Sequence, residues 1–144
     1  MPIHKIFLSI SLLLATTIMA DSINWAKDYQ SGIKQAIKEN KPMFFVISRD
    51  TCKYCVILKK TTFKDKKVIE ALNKDYISII AQIDENDYVP KDLYAPGLPA
   101  LWFLKEDGTP LFQPLMGMIE SNDFLEALRI VNEEFSKTQI KDGK

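Results

Sequence analysis

The chain has 144 residues with 47% hydrophobic content, and its 19 basic residues balance 19 acidic ones. A neutral chain without a basic block is not expected to bind nucleic acid, and this length suits one domain with a single core. Two cysteines and one histidine are present, too few to complete a zinc site from these residue types alone.

The first twenty residues have the pattern of a secretory signal. A short basic start precedes an apolar run over residues 6–18, and Ala20 supplies a small residue at a cleavage position. The run is short for a transmembrane anchor, which is the alternative. We therefore expect residues 1–20 to be a signal peptide that directs the protein to the periplasm, with residues 21–144 forming the domain. Export would place both cysteines in an oxidising compartment.

Hydrophobic periodicity predicts alternating helices and strands along the domain. The first element is a helix from Ile23 to Asn40, capped by Ser22 or Asn24. An apolar strand from Met43 to Ser48 follows, then a helix that runs from the cysteine pair to about Thr62 and a helical segment from Phe63 to Leu72. A strand from Tyr76 to Ile83, a short helical piece from Lys91 to Tyr94 and a strand from Ala100 to Lys105 follow. The chain ends with a hairpin turn at 106–109, a strand from Leu111 to Met116, a helix capped by Ser121 and a polar tail from Lys137 that is expected to fray. This order predicts an α/β fold, a central mixed β-sheet flanked by helices on both faces.

The two cysteines stand three residues apart, between a predicted strand and a predicted helix. The free N–H groups and the positive dipole end of a helix N-terminus favour a thiolate at that position. We therefore expect Cys52, at the helix start, to be the nucleophile. Cys55 lies one turn further among apolar residues and would resolve the mixed disulfide. The charges of Lys53 and Asp50 would act on the ionisation of Cys52 in opposite directions.

Other uses of a cysteine pair were weighed against a redox dithiol. A structural disulfide across so short a loop would add little stability. Covalent haem attachment requires a histidine after the second cysteine, where this chain has Val56. Copper(I) is compatible with two thiolate ligands, so a copper(I) carrier and a redox-inert chaperone stay open as binding functions. For a redox enzyme, no metal and no cofactor other than the cysteine pair is expected.

With these motifs the domain resembles the thioredoxin superfamily along nearly its whole length. Cys52-Lys53-Tyr54-Cys55 occupies the strand-to-helix junction at which the family carries its redox motif, and Gly97-Leu98-Pro99 is similar to the family's cis-proline segment. The resemblance is closest to the C-terminal periplasmic domain of the thiol-disulfide interchange protein DsbD and to small secreted thioredoxin-like proteins. It implies a redox-active Cys52–Cys55 disulfide and a substrate-binding surface formed by Tyr54, Leu98 and Pro99.

Three departures from the family pattern concern the direction of electron flow. A buried acid six residues before the first cysteine is replaced by Val46, a lysine is replaced by Ile80, and the inner Lys53-Tyr54 matches neither thioredoxin nor DsbD. The resemblance implies a monomeric disulfide reductase that acts on protein or small-molecule disulfides. Its electrons would come from a membrane donor of the DsbD or CcdA type. A disulfide oxidase or isomerase is the alternative, the latter because Tyr54 is similar to the motif of the isomerase DsbC.

Overall fold

Residues 20–143 are described by the computed structural model of the chain. Residues 1–19, and with them nearly all of the predicted signal peptide, lie outside the described residues, so that assignment stays a prediction. Among the helices that residues 20–143 form, none has the length and apolar character needed to cross a membrane.

Four strands form one mixed sheet in the order β2-β1-β3-β4. They are β1 (Met43–Ser48), β2 (Ile77–Gln82), β3 (Ala100–Leu104) and β4 (Leu115–Met116). The central strand β1 runs parallel to β2 and antiparallel to β3, and β3 is antiparallel to β4. The mixed sheet predicted from the sequence is confirmed.

Helices cover both faces of this sheet. They are α1 (Tyr29–Glu39), α2 (Lys53–Lys60), α3 (Lys66–Asp75) and α4 (Ser121–Lys141). Short 3₁₀ helices lie at Thr62–Lys64, Ile83–Glu85 and Lys91–Leu93. The order of elements is that of the predicted thioredoxin fold.

Strand β1 is buried along its whole length because it separates two hydrophobic clusters. Side chains alternate across a strand, so Phe44 and Val46 join one cluster while Phe45 and Ile47 join the other. The first cluster is completed chiefly from the helices α2, α3 and α4, by residues that include Leu58, Val68, Leu72, Phe124 and Leu128. The second is completed from α1, β2 and β3, by residues that include Tyr29, Ala36, Ile79 and Trp102. An unbroken apolar run is therefore the sequence that this position requires.

The first helix begins later than predicted, at Tyr29 instead of Ile23. Asp28 is its N-cap, because the Asp28 side chain accepts a hydrogen bond of 2.7 Å from the backbone N–H of Ser31. Neither Ser22 nor Asn24 caps it. Instead, the preceding segment runs along the sheet, and Trp25 forms a β-bridge with Ser78. Trp25 was assigned to the helix because of its spacing from the apolar residues of α1, but it is apolar because it packs against the sheet.

The C-terminal part differs from the prediction in three ways. The last strand contains only Leu115–Met116. Pro110 still forms a β-bridge with Leu104, but Pro114, directly before the strand, has no N–H to donate to a sheet. The final helix has Glu120 as its N-cap residue, so Ser121 is the first helical residue and does not cap it. The tail expected to fray is helical as far as Lys141, and Lys105 Nζ lies 2.9 Å from Asp142 Oδ2 at the helix end.

Candidate active site

The cysteine motif forms the turn between β1 and α2. The chain turns after Ser48, and the backbone N–H of Cys52 donates to the Arg49 carbonyl over 3.2 Å. Cys52 is the N-cap residue of α2, and its Sγ accepts a hydrogen bond of 3.3 Å from the backbone N–H of Cys55. The sulfur thus takes the place of the capping oxygen found at many helix starts, a position at which negative charge is stabilised.

The two cysteines differ in their exposure. Cys52 is half-buried, whereas Cys55 is only 1% exposed, and both are free thiols. Burial raises the pKa of the Cys55 thiol, and its hydrogen bond with Cys52 raises the pKa further. The Arg49 backbone and the nearby Ser48 side chain lower this pKa, against the larger effect of burial. The arrangement presents one sulfur to a substrate and keeps the second protonated behind it.

The charged residues singled out beside Cys52 have other partners. Asp50 Oδ1 accepts hydrogen bonds from Lys59 Nζ at 3.2 Å and from Gln82 Nε2 at 2.9 Å. Lys53 is exposed, and its Nζ lies 6.0 Å from the centre of the Tyr54 ring. The negative charge of Asp50 is therefore partly compensated by Lys59, which the sequence did not indicate. The influence of Lys53 and Asp50 on Cys52 stays a prediction.

The predicted substrate surface involves the carboxyl end of β1. Ala100 is the register partner of Ile47. The preceding residue, Pro99, therefore lies at the end of the sheet from which the cysteine turn leaves β1. The Leu98–Pro99 peptide bond is cis, and the Pro99 carbonyl accepts a hydrogen bond of 2.9 Å from Gly117 N–H. Leu98 is half-buried, while Tyr54, in the first turn of α2, is 53% exposed. Binding of substrate by Tyr54, Leu98 and Pro99 stays a prediction.

The two positions that depart from the family pattern are neighbours in the sheet. Val46 on β1 and Ile80 on β2 are register partners, so an apolar pair occupies this level of the sheet. Two residues further along both strands, Ser48 is the partner of Gln82. This polar pair next to the cysteine turn was not predicted from the sequence. The feature of the sequence that could have indicated it is Ser48, a polar residue at the end of an otherwise apolar run, on the same side of β1 as Val46 and Phe44.

Comparison with known proteins identifies a thioredoxin-like domain over residues 29–132. Anterior gradient protein 3 of Mus musculus is 30% identical over 78 residues, which cover 53% of this chain and 47% of that protein. Spermatogenesis-associated protein 20 of Rattus norvegicus is 27% identical over 100 residues, covering 66% of this chain and 12% of that protein. The chain spans about half of the first relative and a much smaller part of the second.

Several solved structures share the architecture. The DsbH oxidoreductase superposes with a TM-score of 0.66 at 12% identity, covering 80% of this chain and 88% of that one. A thioredoxin from Thermus thermophilus gives 0.65 at 20% identity, with 76% and 87% covered. The reduced C-terminal domain of DsbD from Neisseria meningitidis gives 0.56 at 22% identity, with 69% and 90% covered. These likenesses show the fold, and the domain match over most of the chain shows that this protein belongs to the thioredoxin-like family.

Proposed function

We propose that the protein is a thiol-disulfide oxidoreductase in which Cys52 attacks and Cys55 resolves. Membership of the thioredoxin-like family supports this chemistry in general. The observation that carries the proposal is the unequal pair at the start of α2. Cys52 is accessible and caps the helix, while Cys55 is buried one turn later and donates its backbone N–H to the first sulfur.

The reaction proceeds by two thiol–disulfide exchanges. The Cys52 thiolate attacks one sulfur of a substrate disulfide, which forms a mixed disulfide and releases the other substrate sulfur as a thiolate. Cys55 then loses its proton to water and attacks Cys52 Sγ. This step forms the Cys52–Cys55 disulfide and releases the second substrate thiolate. The substrate gains the two electrons that the cysteine pair loses, and the released thiolates take protons from water.

Within this proposal the protein acts in the periplasm and in the reducing direction. The signal-like start of the sequence supports export, and the resemblance to the terminal domain of DsbD supports reduction. An exported dithiol is oxidised unless it is renewed, so the reductase requires an electron donor. A membrane protein of the DsbD or CcdA type, docking on the surface around Tyr54, Leu98 and Pro99, would supply those electrons. Protein or small-molecule disulfides would use the same surface in turn.

Trapping the cysteines in cells tests the direction of the reaction. Rapid acid quenching followed by alkylation should show Cys52 and Cys55 mostly as thiols, and deletion of the membrane donor should convert them to the disulfide. A pool that stays oxidised with the donor present would contradict the reductase and indicate an oxidase.

Turnover separates the enzyme from a copper(I) carrier. The purified protein should catalyse insulin reduction by dithiothreitol. Stoichiometric copper(I) binding without turnover would favour the carrier instead. Within residues 20–143 no group of three or more His, Cys, Asp or Glu side chains is arranged to hold a metal ion.

A further inference from the structure

Two buried polar atoms lie without partners beside the cysteine turn. Ser48 ends β1 and is 1% exposed, and its register partner on β2 is Gln82. Neither the Ser48 hydroxyl nor Gln82 Oε1 makes a hydrogen bond of ordinary geometry within the described part of the chain. Buried polar groups are nearly always hydrogen-bonded, so a pair of exceptions at one level of the sheet requires an explanation.

The strand geometry directs Ser48 toward the second cysteine. Ser48 lies on the same face of β1 as Val46, two residues earlier, and Val46 packs in the cluster that contains Leu58 of α2. Cys55 precedes Leu58 by three residues and so shares the inward side of that helix. The nearby Ser48 side chain lowers the pKa of Cys55, against the larger effect of burial. Both residues are buried, so this contact is shielded from water.

The side-chain amide of Gln82 is held in place by a hydrogen bond to Asp50. Its Nε2 donates to Asp50 Oδ1 over 2.9 Å, which leaves Oε1 as the buried atom of the amide. The charged groups of the elements around this pair, besides the two cysteines, are Arg49, Asp50, Lys53, Lys59, Lys60, Asp84, Glu85 and Asp87. Asp87 Oδ2 accepts a hydrogen bond of 2.8 Å from the backbone N–H of Gln82. Asp50 is bound to Lys59, and Asp84 accepts a hydrogen bond from the Asp50 backbone N–H. The loop at residues 95–99 contributes no charged residue.

We propose that the Ser48 hydroxyl, held beside Gln82, is a positioning residue that stabilises the Cys55 thiolate during resolution. The inference rests on the proposed function. When Cys55 loses its proton to water, the hydroxyl hydrogen of Ser48 turns toward the sulfur, because a hydrogen bond to an ionised acceptor is stronger than one to a neutral acceptor.

The exchange reaction itself is unchanged by this contact. Cys55 attacks Cys52 Sγ, the substrate thiolate leaves, and Ser48 keeps its own proton throughout. In the opposite direction an incoming thiolate attacks Cys52, and Cys55 leaves as a thiolate that receives the same hydrogen bond. The role therefore holds whether the protein reduces or oxidises its substrate.

A rapid-mixing experiment with dithiobis-nitrobenzoate resolves the two steps. The first nitrothiobenzoate is released when Cys52 attacks, and the second when Cys55 resolves the mixed disulfide. In Ser48→Ala the first phase should be unchanged. The second should slow about tenfold at neutral pH, with its pH midpoint moved upward, because a hydrogen bond to a charged group is lost. Ser48→Thr should restore the second phase.

The chain offers a matched control on the neighbouring strand. Ser78 is 2% exposed, and its hydroxyl likewise has no partner among residues 20–143. It faces Phe44 near the other end of the strand pair, so Ser78→Ala should leave both phases unchanged. Gln82→Met provides a second variant that leaves β1 intact, and it should slow the second phase selectively, by less than Ser48→Ala.

The outcomes separate this inference from the proposed function. If Ser48→Ala shows a wild-type second phase at every pH, the inference is overturned and the proposed function stands. Equal slowing of both phases, or equal slowing by Ser78→Ala, would overturn it as well, since the effect would then be a general loss of structure. A wild-type protein that shows no second phase would overturn both the inference and the proposed function.

Discussion

The two ends of the β1–β2 strand pair hold similar residues in different surroundings. Near the amino end, Phe44 is the register partner of Ser78, and its ring centre lies 5.4 Å from that of Phe103 and 5.2 Å from that of Phe124. At the carboxyl end, Ser48 is the partner of Gln82, beside the cysteine turn. Both ends bury a serine hydroxyl that makes no hydrogen bond of ordinary geometry within residues 20–143, but only Ser48 lies near a thiol, that of Cys55. Substitutions at the amino end should therefore mainly change the stability of the fold. Substitutions at the carboxyl end should mainly change the reactivity of the cysteines.

The largest expected effect is at the carboxyl end. Cys52→Ser should reduce insulin reduction to the background rate, because a serine hydroxyl cannot form the mixed disulfide. The midpoint of urea unfolding should change little, since Cys52 is half-buried and lies outside both core clusters. Activity close to that of the wild type would show that Cys52 is not the attacking residue.

The amino end should respond in the opposite way. Phe44 is fully buried, so Phe44→Ala should lower the free energy of unfolding by about 3–5 kcal/mol. The folded fraction should still attack dithiobis-nitrobenzoate at the wild-type rate. Phe112→Ala is the control, because Phe112 is exposed and its loss should cost far less. A selective loss of reactivity in folded Phe44→Ala would break the distinction between the two ends.

A smaller effect is expected where α1 crosses β2. A Cβ atom on Gly32 would lie 2.3 Å from Ile79 Cδ1 and 2.6 Å from Cγ1, so the helix approaches the sheet too closely for alanine. Gly32→Ala should lower the free energy of unfolding by about 1 kcal/mol, because overpacking outweighs the better helix propensity of alanine. Ile79→Val should make the same substitution less costly in a double-mutant cycle. Additive effects would contradict this explanation.

The smallest expected effect is a loss of stability at alkaline pH. This loss should begin at a different pH for Cys55, at the carboxyl end, than for Tyr76, at the amino end. Burial raises the pKa of Cys55 above its ordinary 9.0, and burial likewise raises that of Tyr76, directly before β2, above its ordinary 10.0. The folded state holds both protons more tightly than the unfolded state. Their contribution to stability is therefore complete below these ordinary values and is lost as pH rises through the folded-state values.

Urea titrations of the dithiol protein across alkaline pH measure this loss. Cys55→Ser should remove the part that begins near pH 9, and Tyr76→Phe the part that begins near pH 10. Tyr76→Phe also deletes the 2.9 Å hydrogen bond to the Leu128 carbonyl, so its stability at neutral pH should fall slightly. A pH profile that neither substitution alters would contradict the assignment.

The sequence predicted the features that depend on local pattern. The apolar run of β1 and the cysteine spacing each follow from residues close together in the chain. Features that depend on pairing were missed. Trp25 has helical spacing with α1 but contacts β2, and the Ser48–Gln82 pair exists only through a register that joins residues far apart in sequence. Hydrophobic periodicity shows which face of an element is buried, but it does not show which residue lies opposite.

Locating the mixed disulfide tests the roles of Cys52 and Cys55 most directly. Cys55→Ser should react with dithiobis-nitrobenzoate, release one nitrothiobenzoate and retain the other on Cys52, because no resolving thiol is left. Mass spectrometry of the quenched protein and its peptides would identify the modified residue, with Cys52→Ser as the matched variant. We expect a rapid and persistent adduct on Cys52 and slow modification of Cys55 in the matched variant. Faster modification of Cys55 than of Cys52 would contradict the roles assigned to the two cysteines.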